Sequence, residues 1–228
     1  MLTDRPLVGL LALTAVSGIV DAVSFLALGH IFTANMTGNV VFLAFAAVGT
    51  PGISVARSSA SLAAFLSGAA IGGYLCRTTA GPIRRHWLRL SATCEVALLL
   101  AAAIVVITLD GDSTALQDRQ YAVIVLLALA MGLRTATVRQ LVVPDLTSTT
   151  MVTMTLTGLV ADLVLADSRS HSSRRVGSIA SLFVGAATGA LLLRLGLAVP
   201  LMVAAVCVLA ATAYAASESA RSDKLQSR

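Results

Sequence analysis

Hydrophobic residues gather into eight segments, at 7–29, 31–49, 53–76, 88–109, 119–143, 146–166, 176–195 and 197–216. Each approaches the ~20 residues that a helix needs to cross a hydrocarbon core. The connections between them are short and polar: RTTAGPIRRHW before the fourth segment, the acidic DGDSTALQD before the fifth, DSRSHSSRR before the seventh, and the tail SESARSDKLQSR. The pattern predicts an all-α integral membrane protein made of a single membrane domain. Arg5 followed by LVGLLALTAVSG has the outline of a signal peptide. The apolar run, however, continues past Asp21 to Leu28 without a small-residue cleavage site and a polar start behind it, so a retained first helix is expected.

Two segments break the apolar pattern. FTANMTGN (32–39) interrupts the second, and TSTTMVTMTLTG (147–158) interrupts the sixth. An unsatisfied amide or hydroxyl in hydrocarbon costs several kcal/mol, so these side chains need protein partners, a water-filled cavity or a ligand. Thr33, Asn35, Thr37, Gly38 and Asn39 belong to the first run; Thr149, Thr150, Thr153, Thr155, Thr157 and Gly158 belong to the second.

The chain also repeats itself. SLAAFLSGAAIGGYLCR (61–77) aligns without gaps on SIASLFVGAATGALLLR (178–194), with 8 of 17 positions identical. Thr37-Gly38 matches Thr157-Gly158 upstream of each copy, and Gly18 is compatible with Gly132. Repeat 1 therefore covers about 7–77 and repeat 2 about 119–194, with helices 88–109 and 197–216 following each.

Charge placement predicts how the copies are oriented. If all eight segments crossed, only six basic residues would lie on the side of the third loop and nine on the other. If segments 31–49 and 146–166 instead enter and return on one side, twelve basic residues collect inside and only Arg57, Arg119 and Arg194 stay outside. Cytoplasmic loops carry the Lys/Arg excess, so the expectation is six transmembrane helices plus two polar, broken or re-entrant segments. The repeats are then inverted, and both termini are cytoplasmic. Inverted repeats with interrupted segments at matching positions point to the binding site of a secondary transporter.

On that reading Asn35, Thr37, Gly38, Asn39, Thr153, Thr155, Thr157 and Gly158 are the candidate solute-binding residues. The competing reading is helix–helix glue, because Ser, Thr and Asn commonly bond across membrane helices. Asp21, Glu95, Arg134 and Asp162 are the intramembrane charges, and such groups face the interior, paired or functional. Asp21 and Arg134 fall at near-equivalent places in the two repeats, which suggests an Asp21–Arg134 ion pair, static or functional. A coupling proton on Asp21 or Glu95 is the sharper alternative, and Asp162 lies close to the membrane interface. Gly68-x-x-x-Gly72 and Gly185-x-x-x-Gly189 allow close helix approach, within the chain or across a homo-oligomer face.

Composition agrees with a lipid-embedded chain. Of 228 residues 57% are hydrophobic and 12% charged, with mean hydropathy +0.89; a soluble domain carries about 25% charged residues. The net charge of +5 sits in loops as an orientation signal and not as a nucleic-acid face. Cys76, Cys94 and Cys207 lie within apolar segments, and His30, His86 and His171 are scattered without ligand spacing, so no metal or cofactor is expected. No nucleophile elbow, zinc motif or phosphate loop occurs, and the expectation is a protein that is not an enzyme.

SGIVDAVSFLALGHIFTANMTGNVVFLA (17–44) and VRQLVVPDLTSTTMVTMTLTGLVADL (138–163) together resemble the bacterial YoaK (DUF1275) family over residues 7 to 216. The resemblance implies a six-helix inner-membrane protein and supplies no function. Members often carry Gln-Asn-Ala where this chain has Arg134-Thr135-Ala136, so no general role for Arg134 carries over. The functional expectation is a secondary transporter or permease-like protein for a small solute. The alternative is a non-transporting membrane protein that assembles or stabilises a partner complex. A lipid-modifying enzyme is disfavoured by the missing nucleophile and metal sets.

Overall fold

The computed structural model describes residues 5–79, 84–108, 113–140 and 169–226, and among these every regular element is helical. The helices are α1 (Arg5–Ala27), α2 (Met36–Ala47), α3 (Val55–Thr79), α4 (Arg84–Ile107), α5 (Ser113–Gln140), α6 (Arg169–Leu192) and α7 (Ala198–Gln226), with a 3-10 turn at Leu193–Leu195. Five are long and apolar enough to cross a membrane: Val8–Ala27, Val55–Thr78, Trp87–Ile107, Asp118–Gln140 and Val176–Leu195. Met36–Ala47 and Ala198–Tyr214 are shorter apolar helices. The sixth hydrophobic segment, 146–166, lies outside the described residues.

The second segment is not continuous. Of 31–49 only twelve residues are helical, because α1 ends before them in a glycine cap. Gly29 takes φ +97°, and the amide of His30 donates to Phe25 O at 3.2 Å; this left-handed turn is favoured by glycine. The same closure ends α2, where Gly49 has φ +81° and the Thr50 amide donates to Phe45 O at 3.1 Å. Pro51 follows and cannot continue the helix. α3 then starts under an N-cap, with the Ser54 hydroxyl accepting from the Arg57 amide at 3.3 Å. The Arg57 side chain folds back to Gly29, where a glycine Cβ would meet its Cζ at 3.0 Å. α3 therefore begins at the end of the bundle where α1 finishes.

α1, α4, α5 and α7 form the interior. Val16, Val20, Val23, Leu99, Ile124, Leu127, Met131, Leu201 and Val208 are fully enclosed there. α3 lies along α5 and α6 lies along α1 on the outside of this group. α6 leaves Phe183, Val184 and Leu191 exposed, as expected of a surface whose solvent is lipid.

The two outer seams match contact for contact. Gly185 abuts the backbone of Ala15, as Gly68 abuts that of Leu129. Gly18 abuts Leu182 O and the Ala186 amide; Gly132 abuts Phe65 O and the Ala69 amide. Gly189 faces Ile19 and Ala22, and Gly72 faces Leu133 and Ala136. Residues of α1 thus recur in α5 and residues of α3 recur in α6, each at a constant offset. The contacts ascend together along each pair, so α1 runs parallel to α6, and α3 to α5. The four glycines of the two G-x-x-x-G motifs all serve packing inside the chain, which removes them as a docking face.

Candidate functional site

Between α1 and α2 the backbone is unwound over residues 28–35, and it is held by two side chains. Asp21, on the inward face of α1, accepts from the amides of Thr33 at 3.1 Å and Ala34 at 2.7 Å, both through Oδ1. The Asn35 amide faces the same carboxylate. Successive amides turned toward one point make an anion-holding nest, here beside the N-terminus of α2, whose partial positive charge adds to the attraction. Asn39 holds the other side. Its Oδ1 accepts from the Phe32 amide at 2.8 Å, and its Nδ2 donates to Phe32 O at 2.5 Å and Ser61 Oγ at 3.1 Å. Ser61 in turn donates to Phe32 O at 2.7 Å.

Asn39 is therefore consumed in closing the chain on itself. Gly38 makes room for the Phe32 ring, whose Cδ2 lies 2.6 Å from where a Cβ would stand. Phe32 stacks between Phe25 and Phe42, at centroid distances of 5.2 and 5.7 Å. Asn35, half-buried, and Thr37, exposed on α2, are the two candidate solute-binding residues whose side chains make no bond within the described residues. Thr153, Thr155, Thr157, Gly158 and Asp162 lie outside the described residues, as do Thr149 and Thr150.

The ion pair that forms differs from the one expected. Arg134 does not pair with Asp21: its Nη2 donates to Glu95 Oε1 on α4. Its Nη1 reaches across to α1, donating to Leu13 O at 2.9 Å and Ser17 Oγ at 3.2 Å. Both charged side chains are about 95% enclosed, and a buried charge is tolerable only when paired and hydrogen-bonded in this way. The near-equivalence of Asp21 and Arg134 along the repeat gave no information on partnering: the Arg134 guanidinium reaches α1 at Leu13 and Ser17 and not at Asp21. Among the described residues Asp21 has amide partners and no cation.

Ser17, Ser61 and the Phe32 peptide belong to the site and were not singled out from sequence. The signal was present for Ser17, since Ser17, Asp21 and Ser24 share one face of α1 by their three- and four-residue spacing. Among the described residues Thr33 Oγ1 is buried without a partner, as are Ser58 Oγ, Trp87 Nε1 and Ser91 Oγ. Trp87, Ser91 and Glu95 recur every four residues and so form one stripe on α4. That stripe ends at Arg134, which bonds both Glu95 and Ser17. Among the described residues no group of His, Cys, Asp and Glu could hold a metal ion.

Five long apolar helices and an exterior of exposed apolar side chains define a multi-pass helical membrane protein. The family described as "Protein of unknown function (DUF1275)" matches residues 9–214, and the chain belongs to it. It is similar to a UPF0700 transmembrane protein, YoaK, of Bacillus subtilis (strain 168), with 32% identity over 157 residues. That alignment covers 69% of this chain and 66%, just under two thirds, of the relative. No solved structure matches.

Proposed function

We propose that the chain is a secondary transporter or permease-like protein of the bacterial inner membrane. It moves a small polar solute through the region around α2 by rocking one repeat against the other. The observation that carries this reading is the pair of equivalent glycine seams, in which the third segment of each repeat packs on the first segment of the other. Two equivalent copies meeting about a central region is the arrangement on which secondary transporters build their sites. The return of the chain at Arg57 beside Gly29 supports α2 as an excursion that enters and leaves on one side. With α2 returning on the side it enters and α3 and α4 crossing, α1 and α5 run in opposite directions, and the repeats are inverted. Arg134 bonding to Leu13 and Ser17, while the far end of α1 lies by Arg57 and thereby Gln120, supports that opposition.

The partner-assembly alternative loses its surface, since the glycine faces it needs are occupied within the chain. The test has two arms. With Cys76, Cys94 and Cys207 replaced, single cysteines at Thr50 and Ser172 are probed with a membrane-impermeant thiol reagent on intact and opened cells. Thr50 is expected outside and Ser172 inside; the same side for both refutes the inverted arrangement. In proteoliposomes, saturable solute flux is expected to be lost in Asn35→Ala and Thr37→Ala, and undiminished flux in both removes the site assignment.

A further inference from the structure

We propose that Asp21 is a proton-binding site whose occupancy releases the unwound 28–35 segment, which makes the proton the coupling ion of the transporter reading on which this proposal rests. Three observations carry it. Asp21 is a carboxylate inside a membrane span with no cationic partner among the described residues, whereas Glu95 is matched by Arg134. Its bonds go to consecutive amides of the segment joining α1 to α2, so its charge is what holds that segment. Thr33, whose amide binds Oδ1, has a fully buried hydroxyl with no partner among the described residues. In the ionised state the site holds acceptors on Asp21 and donors in the nest, and the Thr33 oxygen is left over. A protonated carboxyl supplies one O–H donor, and the amides of the nest, donors themselves, cannot accept it.

The step is a simple binding equilibrium in which one proton from water converts the carboxylate to the acid. Charge-assisted bonds are roughly twice as strong as neutral ones, and the attraction to the α2 N-terminus vanishes with the charge. The nest then holds the segment weakly, and Asn39 remains as its other anchor. Among the described residues the groups that set the field at Asp21 are few. Arg134 and Glu95 lie about one helical turn away through Ser17. His30 and Arg57 stand where α1 ends, with Arg119 on α5 beyond them. α6 presents no titratable side chain over 176–192, and α7 presents only Cys207 and Tyr214 over 198–214.

Infrared difference spectroscopy of the full chain in liposomes, prepared with carboxyl-13C aspartate, tests the site. A carboxylic-acid C=O band is expected to grow as pH falls, shift with the isotope, vanish in Asp21→Asn and persist in Glu95→Gln. Should Asp21→Asn fail to fold, Asp21→Glu moves the band from the aspartate-labelled to the glutamate-labelled sample. A nitroxide at Thr37 in the cysteine-free background is expected to gain mobility on acidification, and to be mobile at every pH in Asp21→Asn. A titrating band unchanged by both substitutions, or a nitroxide indifferent to pH, overturns the proposal. A titrating Asp21 band without any solute flux leaves the proton site standing and removes the transporter reading; saturable flux without the band does the reverse.

Discussion

Replacing Gly185 by alanine tests the interlocked seams at the level of one methyl group. A Cβ at Gly185 would stand 2.6 Å from the carbonyl carbon of Ala15, and nearer still to its oxygen. Ordinary contact begins at 3.4 Å, so α1 and α6 would have to separate by about 0.8 Å to relieve the carbon and by more to relieve the oxygen. Both colliding atoms are backbone, and no side-chain rotamer relieves them. Over-packing of this kind costs about 1–3 kcal/mol, while alanine recovers up to ~1 kcal/mol of helix propensity over glycine. The expected net loss is roughly 1–2 kcal/mol. Gly68→Ala, the equivalent site against Leu129, should lose a similar amount. Gly73→Ala is the internal control: it lies in the same helix, and nothing stands within 4 Å of its Cβ. It should hold stability or gain up to about 1 kcal/mol. Equilibrium unfolding in mixed micelles by sodium dodecyl sulfate titration measures all three. The two seams share no residue, so the Gly68→Ala/Gly185→Ala double variant should be additive within about 0.5 kcal/mol. A Gly185→Ala protein as stable as wild type, or a Gly73→Ala protein as damaged as Gly68→Ala, refutes the seam geometry.

Glu95→Gln leaves Arg134 charged in the interior and is expected to cost about 3–5 kcal/mol. Glu95→Gln combined with Arg134→Gln should recover most of that loss in the same titration; a double variant worse than the single would show that the pair is not what holds α4 to α5. Asn39→Ala strands the Phe32 peptide and should cost about 2 kcal/mol, with hydrogen exchange at residues 32–39 accelerating in parallel. Asn39→Asp keeps the acceptor for the Phe32 amide and loses the donors, so it should fall between Asn39→Ala and wild type; equal stability in all three would deny Asn39 its anchoring role.

The resemblance to the family, first visible in Asp21 with Asn35-Met36-Thr37-Gly38-Asn39, holds across residues 9–214. Helix ends were also legible where they carry local chemistry. Gly29, Gly49 with Pro51, and Ser54 stop and start helices through contacts within six residues. The division of labour within FTANMTGN was not legible. Thr37 and Asn39 are alike in the sequence, yet one is exposed on α2 and the other is fully buried against Phe32 and Ser61.

What the sequence by itself determined is residence in lipid and the packing of small residues. Both follow from quantities summed or repeated along the chain: hydropathy over about 20 residues, and glycines spaced to share a helix face. Tertiary structure alone decided the partners of the charges. Arg134 and Asp21 looked equivalent because their places in the repeat nearly correspond, but Arg134 meets Glu95 from 39 positions away and Asp21 closes on amides 12 and 13 residues downstream. A Coulomb attraction falls with distance in space and is insensitive to separation along the chain, so no periodicity encodes it. The crossing of α4, α5 and α1 placed Glu95 and Ser17 within reach of Arg134, and left Asp21 to the backbone.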